Sequence, residues 1–188
     1  MKDLILHIDH QLFTFLNGLH NAPLDFIMYW FSDRFIWIPL YAVMLGGLIY
    51  HYRKKAILLV IITAALVATT DQVSRGFKYG VERYRPCRVE SAHLPKPHVI
   101  NNHCGGEFGF FSSHASNTFG IALFFGTLLT QLVKRSKQIL LIWAAIVAYS
   151  RIHLGVHYPF DVFCGALCGL LFGWIYLKLS LKYLASKT

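Results

Sequence analysis

Three short polar clusters in this chain carry the residue types that bind and transfer a phosphate group. The candidates are Lys78 and Arg85 in the first cluster, Ser112, Ser113 and His114 in the second, and Arg151, His157 and Asp161 in the third. Lysine and arginine neutralise a phosphoryl dianion, and arginine adds bidentate geometry. A helix that begins among serines offers free backbone N–H groups to the same anion. The histidines and the carboxylate could then supply a nucleophile and proton transfer.

Each cluster also has a simpler structural interpretation. Lys78 and Arg85 could snorkel from helix ends toward the lipid headgroups, and Ser112 and Ser113 could act only as helix N-caps. The histidine and aspartate of the third cluster could form a structural hydrogen-bonded pair. All three clusters stand at the ends of apolar segments, where ionisable residues are costly and usually functional. Their joint occurrence therefore favours one shared site.

The composition predicts that a membrane-spanning helical bundle holds these clusters. Of 188 residues, 55% are hydrophobic and 14% are charged, and the mean hydropathy is +0.47. Soluble domains contain about 25% charged residues. The uncharged segments are 35–50, 56–70, 115–133, 138–150 and 162–177. We expect an all-α integral-membrane bundle of about five transmembrane helices, with residues 1–188 forming a single domain.

Residues 1–22 predict an additional, amphipathic helix. Apolar residues recur at helical spacing between Leu4 and Leu19, and Asp3 and Asp9 interrupt any continuous apolar centre. Such a helix can lie in the membrane interface, and packing against the bundle is an equally good interpretation. The segment lacks the basic start and unbroken apolar centre of a cleavable signal peptide.

The distribution of charge predicts the orientation of the bundle. The connectors 51–55 and 133–137 and the tail from Lys178 contain basic residues and no acidic ones. Short basic connectors stay on the cytoplasmic side, so the segment 71–114 and the third cluster within 150–161 should face outward. Anionic membrane lipids would hold the net charge of +9 on the cytoplasmic side. Nucleic-acid binding is not expected, because the basic groups flank apolar segments and no nucleic-acid motif accompanies them.

The order and spacing of the clusters resemble the motifs of the type 2 phosphatidic acid phosphatase superfamily of integral-membrane lipid phosphatases. The chain matches K-x6-RP from Lys78 to Pro86 and SR-x5-H-x3-D from Ser150 to Asp161, and S-x-H at 112–114 stands in a PSGH-like setting. Soluble vanadium haloperoxidases and bacterial acid phosphatases share the active-site architecture of this family. The resemblance implies an enzyme of the bacterial cytoplasmic membrane.

The resemblance also implies a role for each matching residue. His157 would attack phosphorus to give a phosphohistidine, Asp161 would orient its imidazole, and His114 would protonate the leaving oxygen and then activate water. The phosphoryl oxygens would be bound by Lys78, Arg85, Ser112, Ser113 and Arg151. No metal or other cofactor is implied, because the motifs contain one carboxylate rather than a cluster of them.

The second cluster departs from the family pattern. Phe111 and Ser113 stand where the family usually has Pro and Gly, so a rigid turn is lost and a side chain is added. The Ser113 N–H group remains available, and we expect the shape of the pocket to change more than its chemistry. Neighbouring residues could form a lipid-facing rim or an ordinary interfacial belt: Phe108, Phe110, Phe111, Arg83, Arg88 and Lys96.

Cysteines and glycines predict two further structural features. Cys87 and Cys104 lie in the outward segment, where an oxidising compartment favours a disulfide over free thiols. The intervening histidines leave a zinc site as a third alternative: His93, His98 and His103. In the last apolar segment, Gly165, Gly169 and Gly173 form a stripe of small residues. Helix packing within the bundle is the favoured use of this stripe, over a homodimer face.

The resemblance implies a metal-independent hydrolase that removes phosphate from a membrane lipid. The expected substrates, in order, are an undecaprenyl-type prenyl diphosphate, a lipid A phosphate and a phosphatidate-type lipid. Two alternatives stay open, because the same site could pass the phosphoryl group to a different acceptor or bind the lipid phosphate without turnover. One is a lipid-to-lipid phosphotransferase, and the other is a catalytically inactive lipid-phosphate-binding or transport protein on the same scaffold.

Overall fold

The computed structural model describes residues 2–89, 96–102 and 104–185, and nearly all of them are helical. The helices are α1 (Lys2–Gly18), α2 (Ala22–Ser32), α3 (Ile38–Tyr52), α4 (Ala56–Val81), α5 (Ser113–Leu128), α6 (Ser136–His153) and α7 (Pro159–Ala185). Short 3-10 helices lie at Phe35–Trp37, Arg53–Lys55, Pro86–Arg88 and Ile100–Asn102. Within the described residues there is no β-strand, and the predicted all-α class is confirmed.

The five uncharged segments correspond to helices α3 to α7. Helix α4 continues past its apolar run to include Lys78, and α7 begins early enough to include Asp161. Two stretches, Phe35–Val81 and Pro159–Ala185, are long and apolar enough to cross a membrane by length and composition. The count of five spans stays a prediction.

The long helices alternate in direction, which gathers the polar clusters at one end of the bundle. At the opposite end, the Tyr52 hydroxyl donates to the Leu128 carbonyl at 2.9 Å, and Lys55 Nζ donates to the Leu184 carbonyl at 3.3 Å. The basic connectors therefore lie together, away from the polar clusters, as the charge pattern predicts.

The core of the bundle is centred on α5, and the outer faces of the helices remain apolar. Phe124 is fully buried against residues of the neighbouring helices, among them Leu48 of α3 and Leu59 of α4. In contrast, Val43 is 72% exposed and Ile57 is 69% exposed. Soluble proteins rarely expose contiguous apolar patches, whereas lipid chains solvate such a surface.

One helix, α1, lies within residues 1–22, where a single amphipathic helix is predicted, and a second helix, α2, follows it. Helix α1 ends at Gly18, and the Asn21 side chain caps α2 by accepting from the Leu24 amide at 2.9 Å. Phe13 is buried against α5, α6 and α7, while Ile8 and Phe15 stay exposed. Helix α1 thus packs on the bundle with one side and keeps an apolar side free for the membrane interface.

The glycine stripe of α7 packs directly on α5. A Cβ atom at Gly165 would lie 2.5 Å from the Ser112 carbonyl oxygen, and one at Gly173 would lie 2.9 Å from the Gly120 carbonyl oxygen. Gly169 approaches the Ser116 backbone in the same way. Because α5 covers the stripe, the stripe serves packing within the bundle.

Candidate active site

Four helix ends and two connecting segments converge at the polar end of the bundle. Lys78 lies in the last turn of α4, and Ser113 and His114 begin α5. Arg151 lies in the last turn of α6, and Asp161 lies in the first turn of α7. Arg85 comes from the loop after α4, and His157 comes from the short connection between α6 and α7. The structure therefore brings all three predicted clusters to one region.

The imidazole of His157 lies between an arginine and a carboxylate. Its Nε2 atom is 3.1 Å from Arg85 Nη1, and its Nδ1 atom is 3.5 Å from Asp161 Oδ2. The ring is 2% exposed and Asp161 is fully buried. Burial lowers the pKa of His157 well below its ordinary value, and the positive charges of Arg85, Arg151 and Lys78 lower it further. These effects favour the neutral imidazole, which is the form that can act as a nucleophile.

Asp161 is fixed by two donors besides its contact with His157. Its Oδ2 atom accepts from the Tyr158 amide at 3.0 Å, and its Oδ1 atom accepts from Arg83 Nη1 at 2.7 Å. The second donor corrects the expectation that Arg83 belongs to a lipid-facing rim. Arg83 points inward because its guanidinium is shared between Asp161 and Asp9 of α1, whose Oδ2 atom is 2.6 Å from Arg83 Nη2.

Ser113, which stands where the family usually has glycine, makes hydrogen bonds through its side chain. Ser113 Oγ accepts from Lys78 Nζ at 2.6 Å and lies 2.7 Å from Ser74 Oγ. Its hydroxyl therefore orients the lysine, an interaction that the sequence argument about the backbone N–H did not include. Lys78, Arg85 and Ser113 share a cavity of about 410 Å³.

Ser112 has a different position from the one expected of a phosphate ligand. It is fully buried, its Oγ atom caps α5 by accepting from the Ala115 amide at 3.4 Å, and its own amide donates to the Asp161 carbonyl at 2.9 Å. These bonds make Ser112 the junction between α5 and α7. Phe111 is also buried, at 4% exposure, so it does not belong to a lipid-facing rim.

Arg151 and His114 line a second cavity, of about 360 Å³, together with residues of α2 and the turn that follows it. Arg151 Nη1 donates to the Ser32 hydroxyl at the end of α2. Among the described residues, the buried Nε atoms of Arg85 and Arg151 have no hydrogen-bond acceptor. Unpaired buried donors are costly, and a bound oxyanion between the helix ends would satisfy them.

Gly109 was missed by the sequence analysis. A Cβ atom at this position would lie 3.1 Å from Asp161 Oδ2 and 3.6 Å from His157 Nδ1. The Gly109 amide donates to the Arg83 carbonyl at 2.7 Å, which holds the loop against the site. The signal in the sequence was a glycine just before the second cluster, but local sequence does not reveal which residues it approaches.

Cys87 and Cys104 form a disulfide, with Cα atoms 5.8 Å apart. His98 pairs with Asp25 instead of approaching the cysteines, with 3.0 Å between its Nε2 atom and Asp25 Oδ2. The same carboxylate accepts from His153 Nε2 at 2.8 Å through its other oxygen. The zinc alternative also named His93 and His103, which lie outside the described residues.

Comparison with solved structures matches the helical bundle to known membrane phosphatases. A transmembrane PAP2 type phosphatidylglycerolphosphate phosphatase from Bacillus subtilis superposes with a TM-score of 0.73 at 21% identity, covering 95% of this chain and 87% of that one. LpxE of Aquifex aeolicus superposes with a TM-score of 0.64 at 26% identity, covering 89% of this chain and 93% of that one.

Sequence relatives match over nearly the whole chain. A lipid A 4'-phosphatase of Bacteroides thetaiotaomicron is 36% identical, covering 98% of this chain and 82% of the relative. A lipid A 4'-phosphatase of Porphyromonas gingivalis is 32% identical, with coverages of 94% and 75%. An undecaprenyl-diphosphatase of Sulfolobus acidocaldarius is 30% identical, with coverages of 88% and 73%. The family model of the PAP2 superfamily matches residues 53–184, which include all three polar clusters. The chain therefore belongs to the PAP2 superfamily.

Proposed function

We propose that this membrane protein removes the 4'-phosphate of lipid A through a covalent phosphohistidine at His157. Its family and its relatives make it a hydrolase that acts on lipid phosphate. The two relatives named lipid A 4'-phosphatase are 36% and 32% identical, and the undecaprenyl-diphosphatase is 30% identical. Lipid A therefore takes the first place that the sequence analysis gave to the prenyl diphosphate.

The position of His157 is the observation that carries the mechanism. Asp161 faces Nδ1 and Arg85 faces Nε2, so Nε2 lies on the side where a phosphate bound by the arginine would be placed. In the first step Nε2 attacks phosphorus and the P–O bond to the lipid breaks, while His114 gives a proton to the leaving oxygen. In the second step a water oxygen bonds to phosphorus while His114 takes a proton from that water, and the P–N bond breaks to release phosphate.

Fixed positive groups would stabilise the charge that develops on the phosphoryl oxygens. Lys78, Arg85 and Arg151 supply three cations, and the first-turn amides of Ser113 and His114 have no partner within α5 because helix starts lack one. Donors that are already in position stabilise a transition state without reorganisation. Ser112 acts in this proposal through the cap of α5 rather than as a phosphate ligand.

A neighbouring apolar cavity suits the lipid part of the substrate. It has a volume of about 710 Å³ and lies between α3, α4 and α5, where Met44, Val60, Val67 and Ile121 are among its lining residues. Asp71 lines both this cavity and the polar cavity that holds Lys78. An acyl chain in the apolar cavity would therefore leave the phosphate next to the cationic groups.

The basic connectors support an active site that faces outward from the cytoplasmic membrane. Single cysteines at Lys54 and Lys134, in a background without Cys164 and Cys168, should resist impermeant thiol reagents in intact cells. A cysteine at the exposed Lys96 should react. The reverse labelling pattern would contradict this orientation.

A substrate panel tests the proposed function. Purified enzyme in detergent should release phosphate from lipid A faster than from undecaprenyl diphosphate or phosphatidate, in excess EDTA as well as without it. Vanadate, which adopts the pentacoordinate shape of a transferring phosphoryl group, should inhibit. Preference for undecaprenyl diphosphate would overturn the proposed substrate. Transfer of label to a second lipid without phosphate release would indicate a phosphotransferase instead.

A further inference from the structure

We infer that Asp9, in the N-terminal helix, is a positioning residue of the active site and acts on Asp161 through Arg83. The family model begins at residue 53, so family membership assigns no role to α1. The inference rests on the proposed function in one respect, which is that His157 is the nucleophile and Asp161 its partner.

A continuous set of contacts joins Asp9 to the nucleophile. Asp9 Oδ2 accepts from Arg83 Nη2 at 2.6 Å, and Arg83 Nη1 donates to Asp161 Oδ1 at 2.7 Å. The other oxygen of Asp161 faces His157 Nδ1 at 3.5 Å. Asp9 is 5% exposed and Asp161 is fully buried, so water does not screen these charges as it screens a surface ion pair.

Asp9 is itself held in place by α7. Its Oδ1 atom accepts from the Phe160 amide at 2.8 Å, one residue before Asp161. The Arg83 guanidinium lies 4.2 Å from the centre of the Tyr158 ring, and that ring packs on Phe13 of α1 at a centroid distance of 5.2 Å. Both carboxylate oxygens of Asp9 are therefore used, and the position of Arg83 is determined from two sides.

The arrangement of charges explains why a second carboxylate is needed. Asp161 must stabilise the positive charge that His157 acquires when it attacks phosphorus. Arg83 alone would fix Asp161 but would also neutralise it. With Asp9 on the other side of the guanidinium, two negative charges surround one positive charge, and Asp161 keeps a net negative field toward His157.

A double-mutant cycle on kcat tests the inference. Asp9→Asn should lower kcat by about tenfold or more and change KM less than about threefold. The loss has this size when a residue that supports a metal ligand through a hydrogen bond is removed, and Asp9 supports Asp161 in a comparable way. The matched control is Asp3→Asn, which removes an exposed carboxylate from the same helix and should leave kcat unchanged. Arg83→Gln should also lower kcat, and the double variant should be no slower than Arg83→Gln alone, because Asp9 acts through that arginine. Asp9→Glu, which keeps the charge but displaces the carboxylate by one methylene group, should have a kcat between those of the wild type and Asp9→Asn.

Two results would overturn the inference. One is an unchanged kcat in Asp9→Asn. The other is a double variant whose loss of kcat equals the product of the two single losses, which is expected if Asp9 only holds α1 against the bundle. If Asp9→Asn does not fold, Asp9→Glu compared with Asp3→Glu decides, and equal kcat values overturn the inference. All variants are assayed on the lipid phosphate that the wild type hydrolyses fastest, so a substrate other than lipid A overturns the proposed substrate and leaves this test intact. An active His157→Ala variant would contradict both the proposed mechanism and this inference about Asp9.

Discussion

Asp161 Oδ2 lies 3.5 Å from His157 Nδ1, while Arg85 Nη1 lies 3.1 Å from the other ring nitrogen, Nε2. The distance is long for a hydrogen bond, as catalytic contacts without substrate often are. Because Asp161 is held by Arg83 and by the Tyr158 amide, closure of this contact needs only a small movement of the ring. In the proposed mechanism the same carboxylate would set the orientation of His157 and stabilise the positive charge that the ring acquires.

Asp161→Asn should therefore reduce kcat less than His157→Ala does. The asparagine weakens orientation and charge stabilisation, and comparable changes cost about 10⁴-fold in hydrolases with a nucleophile triad. Loss of the nucleophile costs about 10⁶-fold in such enzymes. Steady-state phosphate release in detergent measures both values. Equal losses would mean that the aspartate does more than support the histidine.

Gly109→Ala should lower activity because its methyl group would crowd Asp161 and His157. The new Cβ atom would lie 3.1 Å from Asp161 Oδ2, closer than ordinary van der Waals contact. The matched control is Gly80→Ala on α4, where no heavy atom lies within 4 Å of the added methyl group. We expect kcat to fall about tenfold or more in Gly109→Ala, since misplacement of about 1 Å can cost 10²-fold. Equal kcat values for the two variants would refute this role of the glycine.

Lys78→Met should move the acid limb of the pH profile of kcat/KM to higher pH. In the proposed mechanism His157 must be neutral to attack, and burial first and then the charges of Arg85, Arg151 and Lys78 lower its pKa well below the ordinary value. Removal of one positive charge raises that pKa, so protonation of the nucleophile begins at a higher pH. The position of the limb is independent of the overall loss of activity. An unshifted limb, or a shift to lower pH, would contradict the account of the site charges.

Gly169→Ala should destabilise the bundle, because the stripe on α7 touches the α5 backbone at this residue. Insertion of a methyl group into a packed interface typically costs about 1–3 kcal/mol. Thermal unfolding in detergent should show a lower midpoint than the wild type. Gly76→Ala, with no heavy atom within 4 Å of its added methyl group, provides the control. A midpoint equal to that of the control would indicate that α5 and α7 can separate at little cost.

The helices and the motif residues could be predicted from the sequence because both depend on local patterns. Uncharged runs marked α3 to α7, and fixed spacings marked Lys78, Arg85, His157 and Asp161. Helix α2 was not predicted, although Asn21 and Pro23 are typical of a helix start.

The residues that support the site could not be predicted, since their partners are distant in the chain. Asp9 looks like any polar residue of an amphipathic helix, and only the packing of α1 on α7 brings it to Arg83. Arg83 itself lies in a loop, where no periodicity indicates whether a side chain points inward. Ser32 meets Arg151 across 119 residues of sequence separation, which no local pattern records.

Trapping of the phosphoenzyme tests the central claim most directly. Enzyme mixed with lipid A labelled at its phosphate and quenched in alkali should carry the label on His157, because a phosphohistidine survives alkali and is lost in acid. The label should be absent from His157→Ala, whose turnover should be nearly abolished. Label on a different residue, or His157→Ala with more than about a tenth of wild-type activity, a barrier change below about 1.4 kcal/mol, would contradict the phosphohistidine mechanism.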